Sequence, residues 1–380
     1  MSLDCRYEYL VVGAGLFGAV WAREMSERGF RCLVIDRRKH IGGNTYTEAV
    51  DGINVHVYGP HIFHTSDETI WRYVNRFARF NDFINRPKIN YQNQIYSFPI
   101  NLMTLYQLWG VDTPEAARAR LEKERIAIAN PANLEEWALS QVGHEIYQKF
   151  IYGYTRKQWG REPRELPASI IKRLPIRYTW DDNYFSDTYQ GIPIGGYTAM
   201  VERILEGIEV RLDTDYLRHR RELDGLARCT VYTGCIDEFY DWQLGALEYR
   251  SLRFERERLP VGDYQGNAVV NYTEARVEFT RICEHKHFEL VQGDNTVITR
   301  EYPMKWQRGD EAYYPVGDDR NHRLYQAYRA RAEQERRVLF GGRLGEYRYY
   351  DMHQVIGSAL AKVEREVARR QSSRPDGSPR

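Results

Sequence analysis

The chain has 380 residues, a length that suits two or three folding units of about 100–200 residues each. Its 54 basic and 53 acidic residues leave a formal net charge of +1, so no overall field favours DNA or an anionic membrane surface. A hydrophobic content of 42% without any run near the roughly 20 apolar residues of a membrane span is typical of a globular chain.

The first 36 residues have the pattern of a dinucleotide-binding βαβ unit. An apolar strand over Tyr9–Val12 is followed at once by the motif Gly13-x-Gly15-x-x-Gly18, and then by a helical pattern from Ala19 to Arg28. A second strand follows and is closed by Asp36, 18 residues after the last glycine, where a ribose-binding carboxylate belongs. This context predicts dinucleotide binding rather than a merely structural turn, because the helix N-terminus supplies free N–H groups for a pyrophosphate.

Two further glycine turns favour FAD over NAD. Ile41–Thr45 (IGGNT) lies a few residues after Asp36, and Gly341–Gly345 (GGRLG) precedes a helix near the C-terminus. A second site of close backbone approach is what the longer FAD molecule needs, and no second GxGxxG fingerprint indicates a separate NADPH domain. An NAD-dependent dehydrogenase remains the alternative and would be colourless when purified.

The following elements come next along the chain. Residues 65–82 are predicted to be helical, 88–98 to form a hairpin, and 101–150 to be helical throughout, with helix starts at Asn101, Thr113 and Asn133. Prolines bracket residues 166–177, which are expected to form a mobile loop or an isolated helix. Mixed α/β character returns at 188–240, and residues 246–316 alternate as an antiparallel sheet does. A strand, a turn and a helix over 351–369 end the pattern.

This order predicts an α/β fold with a discontinuous Rossmann-like FAD-binding domain, an inserted helical bundle and an inserted antiparallel β-sheet domain. The FAD-binding domain is assigned to residues 1–83, 190–245 and 317–370, and the helical domain to 98–160. The sheet or substrate domain is assigned to 84–97, 161–189 and 246–316, and residues 371–380 are expected to be a disordered tail.

The five cysteines form no CxxC pair and have no zinc spacing, which fits a reducing cytosol and predicts a cytoplasmic protein. No grouping of His, Cys and carboxylate residues has catalytic-metal spacing, so no metal is expected. A Ser-His-Asp elbow of the GxSxG type is also missing from the sequence, so the chain offers no obvious nucleophile of its own.

Residues 7–368 resemble the bacterial UDP-galactopyranose mutases, within the glutathione-reductase-like group of FAD proteins. The segments that carry the resemblance include GPHIFHTSD (59–67), FIYGYTRKQWG (150–160), TGCIDEFYD (233–241) and FGGRLGEYRYYDM (340–352). The resemblance implies a redox-neutral isomerase that interconverts UDP-galactopyranose and UDP-galactofuranose through an adduct between the sugar and N5 of reduced FAD. It also implies a homodimer, an external reductant such as NAD(P)H, and a place in cell-wall polysaccharide biosynthesis.

The resemblance further implies the site residues. The catalytic residues are Arg173, Arg281 and His61. Those expected to bind the cofactor are Gly13, Gly15, Phe17, Gly18, Asp36, Arg37, Gly43, Asn44, His61, Thr233, Gly234, Gly342, Arg343, Tyr349, Asp351 and Met352. Those expected to bind the substrate are Phe150, Tyr154, Thr155, Gln158, Trp159, Arg173, Tyr184, Asn271, Arg281, Glu301, Tyr314 and Tyr349.

Physical chemistry gives these residues plausible roles, each beside an ordinary alternative. Tyr154, Gln158 and Trp159 share one helical stretch and offer aromatic surface for uracil, although core packing would explain them too. Arg173 and Arg281 are expected to clamp the diphosphate, whereas an arbitrary arginine would lie on the solvated surface. His61 is expected to lie near the flavin and tune its N5.

Two further hypotheses concern arginines. Because Arg173 lies in the proline-bracketed segment 166–177, it is expected to close over bound substrate like a lid. Arg343 is expected to favour the anionic reduced flavin. The rival functions are an FAD oxidase or dehydrogenase on the same scaffold, which would consume substrate and an electron acceptor, and a flavoprotein that only binds its ligand.

Overall fold

The computed structural model describes residues 5–168 and 176–372. Arg173 and most of the proline-bracketed segment therefore lie outside the described residues, as do residues 373–380 of the expected tail.

The described chain alternates strands and helices from its first element. The strands are β1 (Tyr7–Val12), β2 (Cys32–Ile35), β3 (Thr47–Val50), β4 (Ile53–His56), β5 (Phe63–Thr65), β6 (Lys88–Tyr91), β7 (Gln94–Ser97), β8 (Tyr189–Gly191), β9 (Glu209–Arg211), β10 (Ala227–Tyr232), β11 (Tyr249–Leu259), β12 (Val269–Tyr272), β13 (Arg281–Glu284), β14 (Thr296–Lys305), β15 (Tyr314–Pro315) and β16 (Val338–Phe340). The helices are α1 (Leu16–Glu27), α2 (Glu68–Val74), α3 (Leu102–Trp109), α4 (Pro114–Glu124), α5 (Leu134–Ile146), α6 (Gly153–Trp159), α7 (Gly196–Ile204), α8 (Arg220–Leu223), α9 (Ile236–Phe239), α10 (Asp319–Ala332), α11 (Gly342–Gly345) and α12 (Met352–Ser372).

Five of these strands form a parallel sheet in the order β16-β10-β1-β2-β9. Successive side chains of the central strand β1 point to opposite faces, so both faces must be covered by apolar groups. Tyr9 and Val11 pack in the cluster that includes residues of α1 and α12, whereas Leu10 packs with Leu33 on the other face. This doubly covered parallel sheet confirms the predicted Rossmann-like α/β fold.

A second, seven-stranded sheet has the order β15-β11-β14-β13-β12-β6-β7. Its pairs are antiparallel except for β12 and β6, which run parallel. The sheet is therefore not wholly antiparallel as expected, because the early hairpin β6–β7 joins the edge of a sheet that is otherwise built from residues 249–315. The pairs β3–β4 and β5–β8 form two small separate sheets.

Helices α3 to α6 follow the hairpin, and the three predicted starts are confirmed as N-caps. The Asn101 side chain accepts from the Thr104 N–H, Thr113 accepts from Ala116, and Asn133 accepts from Glu136. The helical prediction was wrong for residues 125–133, however. The chain leaves α4 in an extended conformation at Arg125, and the Ile126 N–H donates to the Leu139 carbonyl of α5 instead.

Two other boundaries differ from prediction. The helix expected over 65–82 covers only α2, since residues 63–65 form β5 and the Asn81 N–H donates to the Ile192 carbonyl. Tertiary pairing at both ends thus overrides the local helical pattern. Residues 371 and 372, assigned to the disordered tail, belong to α12, where the Ser372 hydroxyl donates to the Ala368 carbonyl.

Candidate active site

The glycine motif forms the turn between β1 and α1 at the carboxyl edge of the parallel sheet. A Cβ on Gly18 would lie 2.0 Å from the Gly13 carbonyl oxygen, so only glycine permits this packing of helix against strand. A Cβ on Gly43 would lie 2.9 Å from the Gly15 Cα, which places the second glycine turn directly against the first. The two turns together leave backbone exposed for the close approach of a dinucleotide.

Asp36 ends β2 beside this turn. Its two carboxylate oxygens accept from the Ala14 N–H at 2.8 Å and from the Arg38 N–H at 2.8 Å, so the carboxylate braces the glycine turn. Arg37 and Arg38 both form ion pairs with Glu311, at 2.9 and 2.7 Å. The residue that sequence reasoning passed over here is Arg38, which is the more buried of the two arginines.

The later cofactor candidates converge on the same edge. Phe17 of α1 packs on the backbone of Gly341 and Gly342, and Thr233 contacts Gly342 from the end of β10. The Thr233 hydroxyl donates to the Val12 carbonyl at 2.7 Å. Three segments distant in sequence are thereby joined around the glycine turn.

A cavity of about 900 Å³ lies between this edge, the seven-stranded sheet and α6. It brings together the candidates for substrate binding that the structure describes: Phe150, Tyr154, Thr155, Gln158, Trp159, Tyr184, Asn271, Arg281, Glu301, Tyr314 and Tyr349. The cofactor candidates that line it are Asn44, His61, Arg343, Tyr349, Asp351 and Met352. The remaining ones belong to the glycine turns and strand ends described above.

A row of polar side chains crosses three neighbouring strands on the wall of this cavity. Asn271 of β12 is opposite Arg281 of β13, which is opposite Glu301 of β14. Directly opposite residues of antiparallel strands share a face, so this register alone gathers the three groups. The Arg281 guanidinium also donates to the Tyr154 hydroxyl of α6 at 2.9 Å.

This row holds unsatisfied hydrogen-bonding capacity. Arg281 Nε, Glu301 Oε1 and Gln158 Oε1 are buried, and within residues 5–168 and 176–372 none has a hydrogen-bond partner. Buried polar atoms are normally paired, so these three atoms are groups for a bound ligand. Burial opposes the charge on Arg281, but Glu301 more than offsets it, and the pKa of Arg281 rises above its usual range.

Aromatic rings cover the opposite side. Tyr314 and Tyr349 stack with centroids 5.7 Å apart, and the Arg343 guanidinium lies 5.9 and 5.5 Å from their ring centroids. Arg343 is held in place by a 2.7 Å hydrogen bond to the Tyr350 carbonyl. Burial raises the pKa of the Tyr154 hydroxyl to about 12, although Arg281 opposes the shift, so this hydroxyl stays protonated and can donate.

His61 lines the cavity and is neutral. Its Nδ1 donates to the Gly59 carbonyl at 2.8 Å, and burial lowers its pKa to about 4 even though that hydrogen bond acts the other way. Arg343 and Arg281 lower the pKa further.

The cavity also contains residues that sequence reasoning missed. His64 stacks on Phe185 with centroids 3.6 Å apart, and its Nδ1 lies 2.7 Å from Asp187 Oδ2. The Tyr184 N–H donates to the Asn85 carbonyl, which fixes this loop on the cavity rim. His64 and Asp187 both lie in segments that carried the family resemblance, so that signal could have included them.

Two groups of possible metal ligands come together that no sequence spacing indicated. They are His64, Asp351 and His353, and Asp263, Glu284 and His287. In the second group the members bond to each other, with His287 Nε2 3.3 Å from Glu284 and 3.4 Å from Asp263.

The fold and the glycine turns define a dinucleotide-binding Rossmann-type protein, and residues 11–77 match the family profile of NAD(P)-binding Rossmann-like domains. Residues 149–349, which include the polar row and the stacked tyrosines, match the profile of the UDP-galactopyranose mutases. The chain belongs to the UDP-galactopyranose mutase family.

Relatives and solved structures agree with that assignment. A probable UDP-galactopyranose mutase of Klebsiella pneumoniae is 45% identical over 362 residues, 93% of each chain. A dTDP-fucopyranose mutase of Escherichia coli is 40% identical over 361 residues, 92% of this chain and 96% of the relative. The crystal structure of a reduced UDP-galactopyranose mutase shares the fold, with a TM-score of 0.75 at 13% identity over 95% of this chain and 96% of that one.

Oxidase and dehydrogenase relatives match far less. A pseudooxynicotine dehydrogenase of a Pseudomonas species is 34% identical over only 72 residues, 19% of this chain and 14% of the relative. The resemblance to that class is thus a short segment rather than the whole molecule. In the described residues, no helix combines the length and apolar character needed to cross a bilayer.

Proposed function

We propose that this protein is a UDP-galactopyranose mutase that interconverts UDP-galactopyranose and UDP-galactofuranose without net oxidation, and that FAD in its reduced form is the cofactor. The observation that carries the proposal is Arg281. Its buried Nε has no partner among the described residues, and it faces a cavity that continues to the glycine turns. A diphosphate between a nucleoside and a sugar fits an arginine in that position.

The residues present fit a flavin dinucleotide. The backbone around Gly15 and Gly43 is open to close approach, and the N-terminus of α1 supplies free N–H groups for a pyrophosphate. Phe17, Thr233 and Gly342 would flank the ribityl chain, and Arg343, Tyr349 and Met352 would lie towards the ring system. When bound and reduced, the flavin supplies the nucleophile that the chain itself does not offer.

The leaving nucleotide must be released from the sugar and kept in the site. Arg281 and the Tyr154 hydroxyl bonded to it would grip the diphosphate and stabilise the charge that develops on it. Tyr314 and Tyr349 offer further hydroxyl donors from the opposite wall. We propose that Arg173 completes this grip as a lid residue, since it lies four residues before Arg177, which lines the cavity.

The base end of the nucleotide is assigned to α6 and the turn before it. Tyr154, Gln158 and Trp159 share one side of this short helix, and Phe150 lies one turn earlier. The unpaired Gln158 Oε1 is a hydrogen-bond acceptor for the N–H of a pyrimidine. Asn271, on the polar row, is assigned to the ribose.

The test is incubation with UDP-galactofuranose, with and without dithionite, followed by chromatography of the products. We expect UDP-galactopyranose only after reduction, with no net consumption of the reductant. Equal turnover by the oxidised protein, or consumption of one acceptor per substrate as in an oxidase, would contradict the proposal.

The 40% identity to a dTDP-fucopyranose mutase makes the corresponding dTDP-fucose isomers the necessary second substrate pair. We expect kcat/KM to favour the UDP-galactose pair, in line with the higher identity to the Klebsiella relative. A preference for the fucose pair would reassign the substrate and leave the reaction type unchanged.

The family also leads us to propose a homodimer that is reduced by NAD(P)H in the cytoplasm and supplies cell-wall polysaccharide biosynthesis. Light scattering of the purified protein tests the first point. Anaerobic bleaching of the flavin by NADPH or NADH, followed by optical absorbance, tests the second.

A further inference from the structure

Three buried histidines run in series from the seven-stranded sheet to the cavity. His285 follows β13, His56 ends β4, and His61 lies on the cavity wall. His285 and His56 are each 1% exposed, and neither lines the cavity. They therefore cannot act on substrate directly.

The hydrogen bonds of this series fix the tautomer of His285 and of His56. The His56 backbone N–H donates to His285 Nδ1 at 3.2 Å, so that nitrogen carries no proton, and His285 Nε2–H is left to donate to Thr299 Oγ1 at 2.7 Å. In the same way the His61 backbone N–H donates to His56 Nδ1 at 3.1 Å. The proton of neutral His56 is therefore on Nε2.

The last member ends in the opposite sense. Because a carbonyl can only accept, His61 must donate to Gly59 from Nδ1, and its Nε2 has no proton. Among the described residues this Nε2 has no hydrogen-bond partner, and His61 borders the cavity. The stacking of His56 on Phe288, with centroids 4.5 Å apart and 10° between the planes, holds the middle ring rigid.

Burial keeps all three rings neutral. It lowers the pKa of His285 to about 3 and that of His61 to about 4, and it lowers the pKa of His56 well below the usual value. A proton on His56 Nδ1 would remove the acceptor for the His61 N–H, so the series holds together only in the neutral state.

We propose that His56 and His285 are positioning residues that hold the segment 59–61 so that His61 presents an unprotonated Nε2 to the active-site cavity. His61 then serves as a hydrogen-bond acceptor beside Arg281 and Arg343, and it is neither a cation nor a proton donor. The inference rests on the proposed function for its catalytic meaning, but the tautomer can be measured whatever the substrate is.

The direct test is ¹⁵N NMR of the flavin-loaded wild-type protein labelled in histidine, since protonated and unprotonated ring nitrogens resonate far apart. A His61→Asn variant assigns the His61 signals. At pH 7 we expect Nδ1 of His61 to be protonated and Nε2 to be unprotonated. A protonated Nε2, or an imidazolium, overturns the proposal even if the wild-type protein is an active mutase.

A matched pair of variants tests the positioning role. His56→Asn keeps an oxygen where Nδ1 accepts from the His61 N–H, whereas His56→Leu removes the acceptor and leaves that N–H buried and unpaired. We expect His56→Leu to lower kcat by about tenfold with KM and bound flavin per chain changed less than about twofold, and His56→Asn to stay within about threefold of wild type.

Equal losses in the two variants, or a wild-type kcat for His56→Leu, contradict the positioning role. If His56→Leu does not fold, the pair His285→Asn and His285→Leu replaces it, because Asn again supplies the acceptor that the His56 N–H needs. The NMR measurement needs neither pair.

Discussion

The glycine turn and the polar row are two parts of one site that are built in opposite ways. The turn comes from a contiguous stretch, residues 13–18, and works through bare backbone, so a Cβ in the wrong place is what damages it. The polar row comes from residues up to 30 positions apart and works through side chains, so their charge and hydrogen bonds matter. The comparison teaches that the cofactor end of this site is limited by space and the substrate end by charge.

The largest effect is expected from Gly18→Ala. Its Cβ would meet the Gly13 carbonyl oxygen at 2.0 Å, which forces α1 away from β1 and opens the dinucleotide turn. We expect nearly complete loss of bound flavin, measured as the flavin-to-protein absorbance ratio, and a destabilisation of about 3 kcal/mol or more.

Gly357→Ala is the control for that variant. Gly357 is helical, and its Cβ would make only an ordinary 3.7 Å contact with Ile70. We expect wild-type flavin content and a stability gain of about 0.5–1 kcal/mol, because alanine favours the helix. Normal flavin in Gly18→Ala would break the claim that space limits this end.

Next comes Arg281→Ala, with Arg281→Lys beside it. Loss of the guanidinium leaves Glu301 buried without its ion-pair partner and removes the diphosphate grip, so we expect kcat/KM to fall roughly 100-fold to 1,000-fold. UDP binding, measured by calorimetry, should weaken, while the flavin content should remain at the wild-type level. Lysine should recover only part of the loss, since it keeps the charge and lacks the fork.

The matched control is Arg300→Ala. Arg300 precedes Glu301 on β14, points to the other face, and pairs with the half-exposed Glu257 at 2.7 Å. We expect less than a twofold change in kcat/KM. If the two arginine variants behaved alike, the polar row would lose its special status.

The buried histidines predict a pH dependence of stability. Their folded pKa values are depressed, so the unfolded chain binds more protons and stability falls as pH drops below 6.5, the unfolded value. A fall to about 4 for His61 corresponds to about 3 kcal/mol, lost progressively between pH 6.5 and 4.

Urea midpoints between pH 7 and 4.5 measure this loss, and His285→Asn should flatten the curve. The charged groups that face these rings do not reverse it: Arg281 and Arg343 lower the pKa of His61, and Arg256 lowers that of His285. Glu284 acts in a separate window, since hydrogen bonds depress its pKa to about 2 despite burial and its contribution is lost only below pH 4.5. A flat midpoint from pH 7 to 4.5 would show that the rings titrate normally.

The smallest effect is expected from Lys157→Met. The Lys157 ammonium ties α6 to the β12–β13 connection by donating to the carbonyls of Tyr272 and Phe279 at 2.7 and 2.8 Å. Its loss leaves two carbonyls unpaired, so we expect about 1–3 kcal/mol of destabilisation and a few-fold rise in KM for the UDP-sugar with normal flavin content. Wild-type KM would show that α6 is positioned by packing alone.

How far the sequence predicted the molecule follows the same division. Asn101, Thr113 and Asn133 were identified as helix starts because an N-cap is a local event within four residues. The helix over 65–82 was overextended because Asn81 pairs with Ile192, a partner more than 100 residues away that no local pattern contains. His64 and Asp187 were missed for the same reason.

The sequence by itself determined the dinucleotide turn, the class of fold and, through its motifs, the family. Each of these rests on contiguous residues whose spacing has one physical reading. Only the tertiary structure decided that Asn271, Arg281 and Glu301 stand in one row, and that His285 and His56 fix the proton of His61. Strand register and a buried hydrogen-bond series depend on contacts between distant segments, and periodicity along the chain does not encode them.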